Sequence, residues 1–256
     1  MLNLVSLLVT AALVSLQCYE ANALIERPKI ISNNNLESNE IPVPRRKTIP
    51  KYVKISQPPP QTVKHEPGAP LVLQCEVAGK PAPVVNWLKN GLPITDFEED
   101  SNEIFSSHPI SVARMMSKLV IPSPSNGDVY TCVGTAGVYE KTASTTVLTD
   151  EASEDILSIL ELPTPPLITA YFKDILQVQG SSTTLPCRSY STSNSKVYWL
   201  DNNENVVYGN QKLKVLPSGD LHINNLNFDD MGVYTCTVKN MYGSDSATTF
   251  LYPHLP

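Results

Sequence analysis

Two stretches of this chain end alike: Gly127-Asp128-Val129-Tyr130-Thr131-Cys132 and Met231-Gly232-Val233-Tyr234-Thr235-Cys236. The likeness continues upstream. Trp87 stands twelve residues after Cys75, and Trp199 stands twelve after Cys187. Each unit therefore spells Cys, Trp, Tyr, Cys, with the Tyr two positions before the second Cys. In a strand, side chains alternate between faces, so that Tyr and Cys share one face. A chain that writes this pattern twice builds the same small core twice.

The cysteine count supports one bridge per unit. The five cysteines are Cys18, Cys75, Cys132, Cys187 and Cys236. Leu2 to Leu16 is an uncharged apolar run, followed by Ala21-Asn22-Ala23, an A-x-A cleavage pattern. Residues 1–23 are expected to be a secretory signal, although Lys and Arg are absent from its start; Cys18 leaves with it. Four cysteines in an oxidising compartment predict two disulfides. Three pairings exist on paper, and the repeat favours Cys75–Cys132 and Cys187–Cys236. Closing each loop of about fifty residues is worth ~4 kcal/mol in the chain-entropy account. The sequence has no C-x-x-C, and its four His (65, 108, 222, 254) are scattered, so neither a metal nor another cofactor is expected.

Residues 24–50 read as a flexible arm, polar in SNNNLESNE and Pro-rich around the basic cluster Arg45-Arg46-Lys47. From residue 51 the pattern becomes short alternating runs broken by turn residues, the mark of a sandwich. Leu71, Leu73 and Cys75 alternate, as do Val85 and Trp87 before the Asn90-Gly91 turn. Met115, Ser117, Leu119 and Ile121 form a later strand, followed by runs at 128–133 and 143–148. Residues 150–166 are acidic, then apolar, then Pro-rich, and read as a linker whose Ile156, Leu157 and Leu160 pack between the domains. The second unit, 167–256, repeats the alternation, with turns at 202–205 and 217–220.

The Cys–Trp–Tyr–Cys constellation is that of an immunoglobulin sandwich: the bridge joins two sheets, the indole packs on it, and the tyrosine holds a corner. The expected fold is all-β, two tandem immunoglobulin-like domains of the intermediate set at 51–149 and 167–256. The second unit carries Leu221-x-Ile223-x-x-Leu226-x-x-x-Asp230-x-Gly232-x-Tyr234-x-Cys236. The first carries Gly79-x-Pro81-x-Pro83. It has Asn126 and Asp128 where the second has Asp230 and Gly232, a departure at the carboxylate–basic pair of the domain base.

WLDNNENVVYG, LPSGDLHINNL, DDMGVYTC and SATTFLYP in the second domain, and YTCVGTAG with ASTTV in the first, resemble the insect neural/ectodermal development factor family. Its members are secreted two-immunoglobulin-domain proteins that bind insulin-like peptides and antagonise insulin signalling. The resemblance covers roughly residues 51 to 256 and implies insulin-like peptide hormones as partners. A secreted neural adhesion or guidance protein is the other class that tandem immunoglobulin domains fit.

No nucleophile elbow, metal set or paired-acid motif is present, so an enzyme is not expected. The net charge of −6 gives no basic excess for nucleic acid. After the signal no apolar stretch reaches spanning length, and the C-terminus lacks the hydrophobic tail of a lipid anchor. A released, extracellular product without a membrane anchor is the expectation. No Asn-x-Ser/Thr acceptor occurs.

Parity nominates a binding face. If Trp199, Tyr234 and Cys236 point inward, period two sends Tyr198 and Leu200 outward. On the last strand Ala247, Thr249 and Leu251 make the inward set, which leaves Phe250 and Tyr252 outside. These four residues are expected to share an outer face and anchor the ligand, with Val133 and Leu148 of the first domain extending it.

Overall fold

β-Branched, aromatic and alternating apolar residues favour extended chain wherever one face can be buried. The computed structural model describes residues 50–66, 70–94, 108–149 and 163–255. The signal, the arm up to residue 49 and linker residues 150–162, with Ile156, Leu157 and Leu160, lie outside the described residues.

The first domain contains β1 (Tyr52–Gln57), β2 (Thr62–His65), β3 (Leu71–Lys80), β4 (Val84–Lys89), β5 (Leu92–Pro93), β6 (Val112–Ile121), β7 (Val129–Ala136) and β8 (Tyr139–Thr149). β1, β3 and β6 lie side by side, and β2-β8-β7-β4-β5 form the opposing five-stranded sheet. Cys75 on β3 and Cys132 on β7 bridge the two sheets, with Cα atoms 6.4 Å apart. Trp87 is buried beside the bridge, and its Nε1 donates to Ser117 Oγ at 3.0 Å. That bond satisfies the indole's one donor inside the core. Gly134 has no side chain because a Cβ there would meet Val77 Cγ1 at 2.7 Å.

The second domain contains β9 (Leu167–Val178), β10 (Thr183–Leu185), β11 (Arg188–Tyr190), β12 (Lys196–Leu200), β13 (Leu213–Val215), β14 (Leu221–Ile223), β15 (Gly232–Asn240) and β16 (Gly243–His254). β10-β14-β13 form one sheet, and β9, β16, β15 and β12 lie opposite. Cys187 and Cys236 form the second bridge, also with Cα atoms 6.4 Å apart. Trp199 is fully buried and donates to the Gly219 carbonyl at 2.9 Å. The Tyr234 hydroxyl donates to the Asp230 carbonyl at 3.0 Å and ties the corner expected from sequence. Burial, with Asp230 and Asp201 nearby, pushes that hydroxyl well above its ordinary pKa.

The two sandwiches share a sheet, which the tandem reading did not anticipate. β9 pairs antiparallel with β6 of the first domain, from Val112↔Leu176 to Ser117↔Ala170. Its other edge pairs in parallel with β16, from Phe250↔Asp174 to His254↔Val178, and its start pairs with β11. The result is one eight-stranded sheet whose main path is β1-β3-β6-β9-β16-β15-β12. Ala113, Ile175 and Leu251 are cross-strand partners and all buried, so both sandwich cores lie on the same side of this sheet. Ala82, Ala113 and Met115 of the first domain belong to the core of the second, with Phe172 and Ile175. Each fully buried side chain of that size is worth ~1.5–3 kcal/mol. Both domains fall within one unit, Thr48–Pro256.

The domain base also differs from expectation. Lys212 Nζ pairs with Asp230 at 2.6 Å in the second domain. In the first, Asp128 takes the part of the carboxylate from two positions further along. It binds Lys89 Nζ at 2.9 Å and accepts from Asn90 and the Ser125 amide. Burial opposes its charge, but Lys89, the Ser125 amide and Asn90 outweigh burial and hold the carboxyl at about 2.

Because core and sheet are shared, heating is expected to unfold both domains in one calorimetric transition. Phe172→Ala should lower it by removing ~3–5 kcal/mol; two separate transitions in the native protein would contradict the shared core. Asp128 has a depressed folded pKa, so its contribution is present above its unfolded value and lost as pH falls toward 2. Asp128→Asn should therefore be less stable than the native chain at neutral pH. The gap should narrow between about pH 4 and 2, as followed by denaturant titration at each pH.

Candidate functional site: the outer face of the joined sheet

With both cores on one side, the opposite side of the eight-stranded sheet faces away from them, buried at Glu76 and Met116 and exposed around Phe250. Register places its side chains in rows. One row runs Lys54, Ala78, Arg114, Asp174, Phe250, Val233 from β1 to β15. One residue pair further along, Tyr52 aligns with Lys80, and Val112, Leu176 and Tyr252 form a row from β6 to β16. Further along β16, Thr248 aligns with Thr235 and Leu200, and Ser246 with Thr237 and Tyr198.

The second-domain half is aromatic and aliphatic. Phe250 is 42% exposed, Tyr252 38%, Tyr198 41% and Val233 48%. Leu200 is half-buried. Between them lie hydroxyl side chains, with Thr237 Oγ1 and Ser246 Oγ 2.9 Å apart. Ala247, Thr249 and Leu251 are buried on the opposite face, and Thr249 Oγ1 donates to the Phe172 carbonyl at 2.6 Å.

The junction between the halves is held by charge. Glu76 on β3 is buried, and its carboxylate accepts from Lys173 Nζ at 2.5 Å and Ser56 Oγ at 2.7 Å. Arg114 Nη1 lies 4.0 Å from Glu76, and the same guanidinium pairs with Asp174 through Nε at 2.6 Å and through Nη2. Lys173 is the extra residue where the β6–β9 register shifts, and the shift lets it reach across β6 to β3. Burial raises the Glu76 pKa, but the hydrogen bonds from Lys173 and Ser56 and the nearby cations outweigh it and keep the value below the ordinary one.

Of the sequence-nominated residues, Tyr198, Leu200, Phe250 and Tyr252 stand on this one face. Val133 and Leu148 do not extend it. They lie on β7 and β8 of the five-stranded sheet, on a different surface. Val133 is buried there, between Asn86 and Thr142, while Leu148 lies beyond the β7 pairing, opposite Lys64. Alternation tells which side of a strand a residue takes, but not which sheet that side belongs to. Sequence reasoning passed over Val112, Arg114, Asp174 and Leu176. The outward placement of Val112 and Arg114 on β6 followed from period two, but on β9 the extra residue Lys173 breaks the alternation between buried Phe172 and buried Ile175, and the pairing of the two strands was not readable.

A family profile described as immunoglobulin domain matches residues 54–135 and 165–240. Neural/ectodermal development factor IMP-L2 of Drosophila melanogaster is 30% identical over 227 residues, covering 87% of this chain and 85% of that protein. Zwei Ig domain protein zig-4 of Caenorhabditis elegans is 32% identical over 192 residues, 71% of this chain and 72% of its own length. The crystal structure of IMP-L2 superposes with a TM-score of 0.68 at 28% identity, covering 80% of this chain and 96% of that one.

Glu76→Gln keeps the shape at the junction and removes the charge. Charge-assisted bonds of this kind contribute ~1.5–3 kcal/mol, and Lys173 and Arg114 are solvated enough to soften the loss. The variant should unfold at lower denaturant than the native chain at pH 7. Because the folded pKa of Glu76 is depressed, the difference should shrink as pH falls below the ordinary carboxylate range.

Proposed function

This chain belongs to the immunoglobulin-domain family and is IMP-L2-like, and from that premise we propose that it is a secreted binding protein for insulin-like peptides that antagonises insulin signalling. The coarser statement, an immunoglobulin-domain protein of the secreted or adhesion-like kind, follows from its relatives. The observation that carries the finer reading is the exposed aromatic face of the joined sheet. Phe250 and Val233 are cross-strand partners with Tyr252 two residues along, and Tyr198 stands further down the same face in the Ser246 row, all exposed; apolar patches of this kind mark binding surfaces. The family resemblance supplies the class of ligand.

The dimensions suit a small folded hormone. Seven strands at ~4.8 Å spacing make a face roughly 30 Å across. A specific interface takes about 800 Å² from each partner, close to a square of that width. Aromatic anchors at its centre bury ~150–250 Å² each. The action is sequestration, not catalysis. To keep hormone from its receptor the complex must be tighter than micromolar, better than about −8 kcal/mol.

Excess protein is expected to suppress receptor phosphorylation by an insulin-like peptide. Phe250→Ser should keep the native circular dichroism and weaken hormone binding by more than about 1 kcal/mol, the mark of a contributing interface residue. Unchanged receptor phosphorylation under saturating protein would end the hormone reading. Capture of cell-surface partners instead would favour adhesion or guidance.

A further inference from the structure

The outer face is divided by charge, and the division runs against the rest of the chain. The whole protein is acidic, with a net charge of −6. Yet the first-domain half of this face presents Lys54, Lys80, Arg114 and Lys118 at outward positions of β1, β3 and β6, with Lys173 added from β9. Among the described outward residues of β1, β3, β6 and β9 the acidic ones are Glu76 and Asp174, and both are engaged in the junction network. On the second-domain half, no outward residue of β12, β15 or β16 among the described residues is acidic; aromatic, aliphatic and hydroxyl side chains cover it, with Lys196 and Lys239 at one end and His254 at the other. Thus an apolar platform borders a cationic one on one continuous surface. Arg114, half exposed while holding Asp174, stands in the same row as Phe250.

We propose that the occupant of this face is an amphipathic polypeptide whose apolar ridge is bordered on one side by carboxylates. The ridge seats on Phe250, Tyr252 and Tyr198, and the carboxylates lie over Lys54, Arg114 and Lys118. This deepens the reading of the face as a docking surface without depending on the identity of the hormone. A cationic border of this kind steers an acidic partner and raises its association rate, an effect that salt screens over a Debye length of about 8 Å at physiological strength. It also repels basic peptides with an equally apolar ridge, which is selectivity by charge. A sulfated glycan would use the same cations, but it would have to cross Glu76 and Asp174 and would gain nothing from the aromatic half.

The test uses the full secreted chain and two synthetic helical peptides with one leucine ridge, bordered in one by glutamate and in the other by lysine. The glutamate peptide should bind at least ten-fold more tightly at low salt, with the advantage shrinking as salt rises. The double variant Lys54→Glu, Lys118→Glu lies outside the Glu76 network and should abolish that preference, while Phe250→Ser should weaken both peptides alike. Equal binding of the twins, binding of neither, or a preference that survives the double reversal overturns the proposal. So does a heparin fragment whose binding falls on charge reversal but ignores Phe250→Ser, when neither peptide binds. Hormone binding that is lost in Phe250→Ser yet indifferent to the double reversal leaves the hormone reading standing and removes this inference.

Discussion

The backbone of β9 is the constraint on which the rest depends. A strand has two hydrogen-bonding edges, and β9 gives one to β6 of the first domain and the other to β16 and β11 of its own. An edge strand left open would invite pairing with another chain. Here the open edge of one sandwich is closed by the first strand of the next. The pairing puts Ala113, Ile175 and Leu251 in line, merges the cores and leaves one broad face outside. The residues of the candidate site are neighbours only because of that closure.

The charge network at the junction follows from the same pairing. A register shift between Arg114 and Met115 frees Lys173 to reach Glu76, while Arg114 turns to Asp174. A carboxylate as buried as Glu76 would be costly alone. Supplied with cations from β6 and β9, it becomes a contact that only the paired arrangement satisfies. A register that left Glu76 without these cations would bear the cost of an unpaired buried charge.

What was legible in the sequence was local. Trp87, Trp199, Tyr130 and Tyr234 could be placed because each lies a fixed distance from a cysteine, and the inward set of β16 followed from parity. The outward direction of Phe250 and Tyr252 came from the same count. The shared sheet was not legible, because backbone hydrogen bonds between β6 and β9 leave no side-chain signature. Val133 and Leu148 were misplaced for a related reason: period two is blind to which sheet a strand joins. Asp128 sits two residues beyond the position that Asp230 suggested, where Lys89 and Asn90 can both reach it.

Tandem domains on a flexible tether lose orientational freedom when one ligand grips both, and that loss subtracts from affinity. In this chain the loss is taken at folding. Arg114 and Phe250 sit in one row with only Asp174 between them, and the ladder fixes their spacing before any ligand arrives. A partner spanning both halves meets a preorganised surface, so its complex should form without domain closure. Its lifetime would then be set by side-chain contacts, not by the reopening of a hinge.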